Sequence, residues 1–198
     1  MVSTEPAAGQ SLIFTFRATN AAIASNTNTL RAIEHEQANS QRQLRAYVRI
    51  SPDGVNPTKI RNALIGHVEI KNVGQIIAQE VSIMIKMEKR KGKNHLNFEI
   101  SDEGKTANPI GSMLPGVAIR MGNPQEITNE EMPKVGANQN KSVSDREYLY
   151  VFGKVTYTDG FETPRMTEFC FRYDTDSRNK EGIAVDTARY QRYANNAT

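Results

Sequence analysis

Five cations, Lys86, Lys89, Arg90, Lys91 and Lys93, fall within eight residues and form the densest charge feature of the chain. Such a cluster suits contact with phosphate, and an anionic membrane surface is the candidate, since each basic residue near one adds about 1 kcal/mol. The competing reading is a solvated hairpin tip whose charges discourage edge-to-edge strand pairing. Single-stranded nucleic acid would call for aromatic residues interleaved with the cations, and along the chain none are. The excess charge over all 198 residues is +3, with 25 basic against 22 acidic side chains, so no nucleic-acid partner is expected.

The remaining reactive residue types are scattered. His35, His67 and His95 fall in three different expected elements, without the i, i+4 or short-turn spacing that preorganises metal ligands. Cys170 is the sole cysteine and sits between Phe169 and Phe171, the setting of a small core hydrophobe, and no disulfide within the chain is open to it. Asp174-Thr175-Asp176 begins like a calcium loop, but Arg178 takes the next ligand place and Asn179 the place of the sharp-turn glycine. Phosphate-cradling glycine loops and a Gly-x-Ser-x-Gly elbow are lacking. The expectation is a non-enzymatic protein without cofactor or metal.

The elements that would position these residues follow from periodicity. Residues Ala18 to Gln43 contain neither proline nor glycine and are rich in Ala, Asn, Gln, Glu and Arg, which predicts a helix. Phe16, Ile23, Leu30, Gln37 and Leu44 fall seven apart in a mostly apolar column. The column Leu12, Thr19, Asn26, Ile33 and Ser40 that would complete a coiled-coil seam is mostly polar, so any homo-oligomer through residues 18–43 is expected to be weak.

From Leu44 the period becomes two. Leu44, Ala46, Val48 and Ile50 predict a strand with one buried face, as do Leu64, Gly66, Val68 and Ile70, and then Val81, Ile83, Ile85 and Met87. Lys89 to Asn94 reads as the basic tip of a hairpin, with Leu96, Phe98 and Ile100 resuming the alternation. Residues Ser101 to Arg146, with four prolines and five glycines, predict short strands such as Val117 to Met121 between long loops. Tyr148 to Tyr157 and Met166 to Tyr173 form the strongest hairpin signal, joined by Thr158-Asp159-Gly160.

Strands joined by turns, with no helices between them, predict an all-β fold, an antiparallel β-sandwich preceded by an α-helix. The expected divisions are a helical linker over 1–43, a sandwich over 44–174 and a polar tail over 175–198, with Ala188, Tyr190 and Tyr193 suggesting a short helix. Aliphatic runs such as Leu12-Ile13-Phe14 are far below the roughly 18 residues of a membrane span.

Gln43-Leu44-Arg45-Ala46-Tyr47-Val48, Ile70-Lys71-Asn72-Val73-Gly74 with Ala78 and Val81, Gly153-Lys154-Val155-Thr156-Tyr157-Thr158-Asp159, and Thr167-Glu168-Phe169-Cys170-Phe171 occur in that order. Together they resemble a group of uncharacterised bacterial envelope proteins, in which N-terminal membrane helices and a helical linker precede an immunoglobulin-like sandwich outside the membrane. The similarity covers most of residues 17–173. Phe14 to Ala22 is similar to the linker that follows the last membrane helix in that group. The chain departs by carrying no membrane helix before this linker, so the resemblance implies an anchor outside these residues, with a cytoplasmic location as the alternative.

The resemblance brings no catalytic residue. It implies an interaction or structural module of the cell envelope whose protein partner is unidentified. The alternative is a soluble self-assembling structural protein, a virion or surface-layer component, oligomerising through the N-terminal helix. The motif residues also have structural explanations: positive backbone dihedrals at Asn72 and Gly74, tight packing at Ala78, and a buried Tyr157 whose hydroxyl bonds backbone.

Overall fold

A computed structural model describes residues 7–58, 63–92, 107–123, 126–128, 130–132 and 134–191, with only the backbone of residues 7–16 and 18. Two compact units result, Met1–Leu44 and Arg45–Thr198.

The first unit is one helix, α1 (Ala7–Leu44), which begins well before the expected Ala18. Arg42 in its last turn complements the helix dipole. Its described side chains from Arg17 to Leu44 are exposed, apart from a half-buried Asn39. The run Ser25-Asn26-Thr27-Asn28-Thr29 consists of poor helix formers, together about 3 kcal/mol less favourable than alanine. Thr27 Oγ1 and Thr29 Oγ1 turn inward and donate to the Ile23 and Ser25 carbonyls, each at 2.9 Å.

The second unit is an antiparallel sandwich. One sheet contains β1 (Val48–Pro57), β2 (Ala63–Asn72), β5 (Ala118–Gly122) and the short β6 (Ile127–Thr128). Its strand order is β1-β2-β5, with β6 also on β2. The other sheet has the order β4-β3-β7-β8-β9, from β3 (Ala78–Lys91), β4 (Asn108–Met113), β7 (Glu147–Thr158), β8 (Pro164–Asp174) and β9 (Arg189–Tyr190). The chain changes sheet between β2 and β3, β4 and β5, and β6 and β7. This is the alternation of an immunoglobulin-like sandwich.

The core lies between the sheets and is built from the predicted alternation. Val48, Ile50, Leu64, Val68 and Ile70 from one sheet meet Val81, Ile83, Ile85, Met87, Val151, Val155, Phe169 and Phe171 from the other. The sheets approach closely at Gly66, where an added Cβ would strike Val151 Cγ2 and press on the Met87 sulfur. β7 is buried on both faces from Tyr148 to Gly153, as the middle strand of its sheet.

From Thr175 to Tyr190 the chain differs from the expected short helix. Thr175–Ser177 and Val185–Thr187 are 3-10 turns, and Arg189–Tyr190 pairs with β8 at Arg172 and Phe171. Tyr190 stands edge-on to Phe171, with ring centroids 5.1 Å apart. An aromatic partner and an open strand edge favour extension over helix here. Tyr193 lies outside the described residues, as do Lys93, His95 and the expected strand through Leu96, Phe98 and Ile100.

Candidate functional site

Four residues of the basic cluster, Lys86, Lys89, Arg90 and Lys91, lie on the last third of β3, where alternation divides them between two faces. Lys86 and Arg90 share the outer face with Met84 and Glu88, while Lys89 and Lys91 follow the parity of Ile83, Ile85 and Met87 beyond the end of the core. These four cations therefore lie two on each face of β3. Arg90 is held by Glu88, with Nε and Nη2 donating to Oε2 at 2.8 and 2.5 Å. Lys89 Nζ donates to the Glu131 carbonyl at 2.5 Å.

Beside these residues an open groove of about 700 Å³ is lined by Met87, Glu88, Lys89, Arg90, Glu126, Ile127 and Glu131. Its lining carries three carboxylates and two cations. The Thr128 amide, donating at 2.9 Å, holds the Glu131 carboxyl below the usual range, assisted by the Thr128 hydroxyl and Lys89. Glu131 is therefore ionised at neutral pH and offsets the positive field of Lys89.

Pairing with β7 adds a feature hidden in the linear order. Lys86, Glu88 and Arg90 stand opposite Phe152, Tyr150 and Tyr148. Arg90 lies 5.9 Å from the Phe152 ring centroid, and on β8 Arg172 lies 4.9 Å from that of Tyr148. The rings are buried together with Cys170 on the outer face of the sheet, so they present no open surface on which a base could stack. The Tyr150 hydroxyl donates to the Gly92 carbonyl at 2.7 Å, and burial pushes its pKa up to about 12. Burial likewise pushes the Cys170 thiol up to about 12, far from the thiolate a nucleophile requires. The sequence signal for this layer was the outer parity of Tyr148, Tyr150 and Phe152, once β7 was paired with β3.

Each described histidine has its own local partners. His35 Nδ1 lies 3.1 Å from Asn39 Nδ2 on α1. His67 Nδ1 lies 3.1 Å from both Asn56 Nδ2 and the Ile65 carbonyl, and burial, with the nearby Arg120, pushes its pKa down. Among the described residues no group of three or more His, Cys, Asp or Glu could hold a metal ion.

Asp174-Thr175-Asp176 is occupied with backbone. Asp176 accepts from the Gly136 amide at 3.1 Å and from the Asn138 amide at 3.2 Å, while Asp174 caps the Asp176 amide at 3.1 Å. Asn138 is buried and donates to the Glu147 carbonyl at 2.8 Å and to Thr175 Oγ1 at 3.0 Å. The loop Lys134 to Asp145, exposed over most of its length, is therefore pinned to the start of β7 through the buried Asn138 amide.

The motif residues stand likewise at joints of the fold. Asn72 is fully buried: Oδ1 accepts from the Gly74 amide at 3.0 Å and the Tyr47 amide at 3.4 Å, and Nδ2 donates to the Ile76 and Met113 carbonyls at 2.8 and 2.9 Å. Neither Asn72 nor Gly74 has a positive φ, contrary to the expectation from their residue types. Glycine is required at 74 for space instead, because a Cβ there would overlap the Arg45 carbonyl oxygen and the Tyr47 nitrogen. Tyr157 is buried and its hydroxyl accepts from the Val48 amide at 3.4 Å, while Thr167 Oγ1 donates to the Val48 carbonyl at 3.1 Å. Both backbone groups of Val48, on the edge strand of one sheet, are thus held by the other sheet.

Among the described residues no helix is long and apolar enough to cross a membrane. Comparison of the chain with protein-family models, with curated proteins and with solved structures finds no match in any of the three.

Proposed function

We propose that the chain is a non-enzymatic interaction or structural module of the bacterial cell envelope: an immunoglobulin-like sandwich with a helical linker, anchored by a segment outside these residues. The observation that carries this reading is how the conspicuous polar residues are employed. Asn72, Asn138, Asp159 and Asp176 all bind backbone amides or carbonyls that shape loops and strand ends. Side chains held in this way serve rigidity, which suits a domain whose work is to present a surface. The order of the motifs along the chain supplies the envelope part of the reading.

A second reading, a self-assembling soluble structural protein, is favoured by one feature of α1. Ile23, Leu30, Ile33 and Leu44 are 58, 61, 47 and 49 % exposed.

Fractionation of the native host separates the two readings. The envelope reading expects the protein in the membrane or periplasmic fraction at its natural expression level. Recovery wholly in the soluble cytosol overturns that reading.

A further inference from the structure

We infer that α1 is an association surface whose partner is a second copy of the same helix, aligned parallel and in register. The inference rests on the reading of α1 as a linker that carries the sandwich, and it names that linker's partner.

Three observations support a partner for this helix. Its apolar residues are exposed and fall on one face: Ile23, Leu30 and Leu44 share a column at seven-residue spacing, with Ile33 in the adjoining column. The helix is also locally weak. Ser25 to Thr29 are poor helix formers, and from Arg17 to Leu44 the one oppositely charged pair at helical spacing is Arg31 with Glu34. A helix with so little local support takes most of its stability from packing of its apolar face. The polar partners within α1, finally, leave the seam clear. The His35–Asn39 contact lies on the opposite side of the helix, and the Thr27 and Thr29 hydroxyls fold back onto the backbone.

The order of residues along the seam selects a second copy and its direction. From Ile23 it runs Ile23, Asn26, Leu30, Ile33, Gln37, Ser40, Leu44. Two parallel helices in register set like against like at every layer: Ile, Leu and Ile contacts above, Leu44 below, and Asn26, Gln37 and Ser40 each opposite its own copy. An asparagine opposite an asparagine can satisfy its amide, which fixes register while lowering affinity. An antiparallel pair centred on Leu30 and Ile33 sets Ile23 against Ser40 and Leu44 against Thr19, leaving two apolar side chains on polar ones. Flanking charge is compatible with the parallel pair without selecting it. The positions that face each other beside a parallel seam are Thr29 with Glu34 and Glu36 with Gln41, so no like charges meet.

Multi-angle light scattering and sedimentation of the full 198-residue chain, over a wide concentration range, test the pairing. The expected mass rises reversibly from one chain to two. Leu30→Glu is expected to raise the dissociation constant at least about tenfold, and Gln37→Leu to lower it by a similar factor. Thermal unfolding of the sandwich serves as the control that both variants are folded. Asn26→Cys reports direction, because the natural Cys170 is buried and a disulfide between the introduced thiols forms only when the two sites face each other. A mass fixed at one chain, a mass above two, a dimer indifferent to Leu30→Glu, or a dimer that Asn26→Cys fails to cross-link overturns the inference. A monomer found in the envelope fraction would end the pairing and leave the envelope reading standing.

Discussion

The side-chain amide of Asn72 donates to the Met113 carbonyl at 2.9 Å, so a residue ending β2 in one sheet grips the last residue of β4 in the other. The same amide holds the Ile76 carbonyl, and its oxygen takes the Gly74 and Tyr47 amides. Asn72→Ala strands several of these groups in a buried setting and is expected to cost about 2–4 kcal/mol. Urea unfolding at neutral pH checks this. Asn72→Asp is expected to be at least as damaging, because a carboxylate cannot donate to the two carbonyls.

Glycine substitutions separate backbone crowding from side-chain crowding. A Cβ at Gly153 falls on the Met84 carbonyl oxygen of the neighbouring strand, whereas one at Gly160 meets Ile76 Cδ1 at 2.5 Å, the movable end of a side chain. Gly153→Ala is therefore expected to destabilise by more than about 3 kcal/mol and Gly160→Ala by about 1 kcal/mol. Thermal unfolding of the pair gives the ranking, and equal effects would refute the geometric account.

Asp159 gives the fold an acid limb. Burial alone would raise its carboxyl, but the Arg165 guanidinium at 2.9 Å and the Phe161 and Thr163 amides at 2.9 and 3.1 Å more than offset that, so its pKa is lowered. A carboxyl depressed in the folded state adds stability that is present above its unfolded value, about 3.9, and is lost as pH falls through the folded value. Asp159→Asn is expected to be less stable than the natural protein at neutral pH, with the gap closing in acid. Unfolding free energies measured from neutral pH down to strong acid follow that gap.

The cations of β3 have a direct assay on anionic vesicles. Charge reversal at three members of the cluster, Lys86, Lys91 and Lys93, is the test variant. If this end of the sandwich meets anionic lipid, sedimentation with the vesicles is salt-sensitive and the triple variant weakens it by about two orders of magnitude. Binding that ignores salt, or that survives the reversal, removes the membrane surface from the list of partners.

Where apolar alternation was unbroken, the sequence was a sufficient guide. Ala46, Val48 and Ile50, and Val81, Ile83, Ile85 and Met87, all face the core as their period of two requires. Leu44 is the exception: it shares that parity, yet it ends α1 and is half exposed. The local pattern there fits both a helical column and a strand face, and the extended chain begins only beyond it. Joints made by long-range partners were less legible. Gly74 looked like a turn glycine, but it answers to the backbone of Arg45 and Tyr47, which no local pattern places beside it. Similarly, the β3 cations are neighbours along the chain, while the rings on the face of Lys86 and Arg90 arrive from β7, some sixty residues later in the chain.

The proposed function places the sandwich outside the cytoplasmic membrane. Protease added to spheroplasts of the native host, with immunodetection of residues 45–198, tests it most directly. The account predicts that the sandwich is reached while the membrane is intact, with cleavage in its exposed loops, and that a cytosolic control protein is spared. A sandwich protected until the membrane is lysed would contradict it.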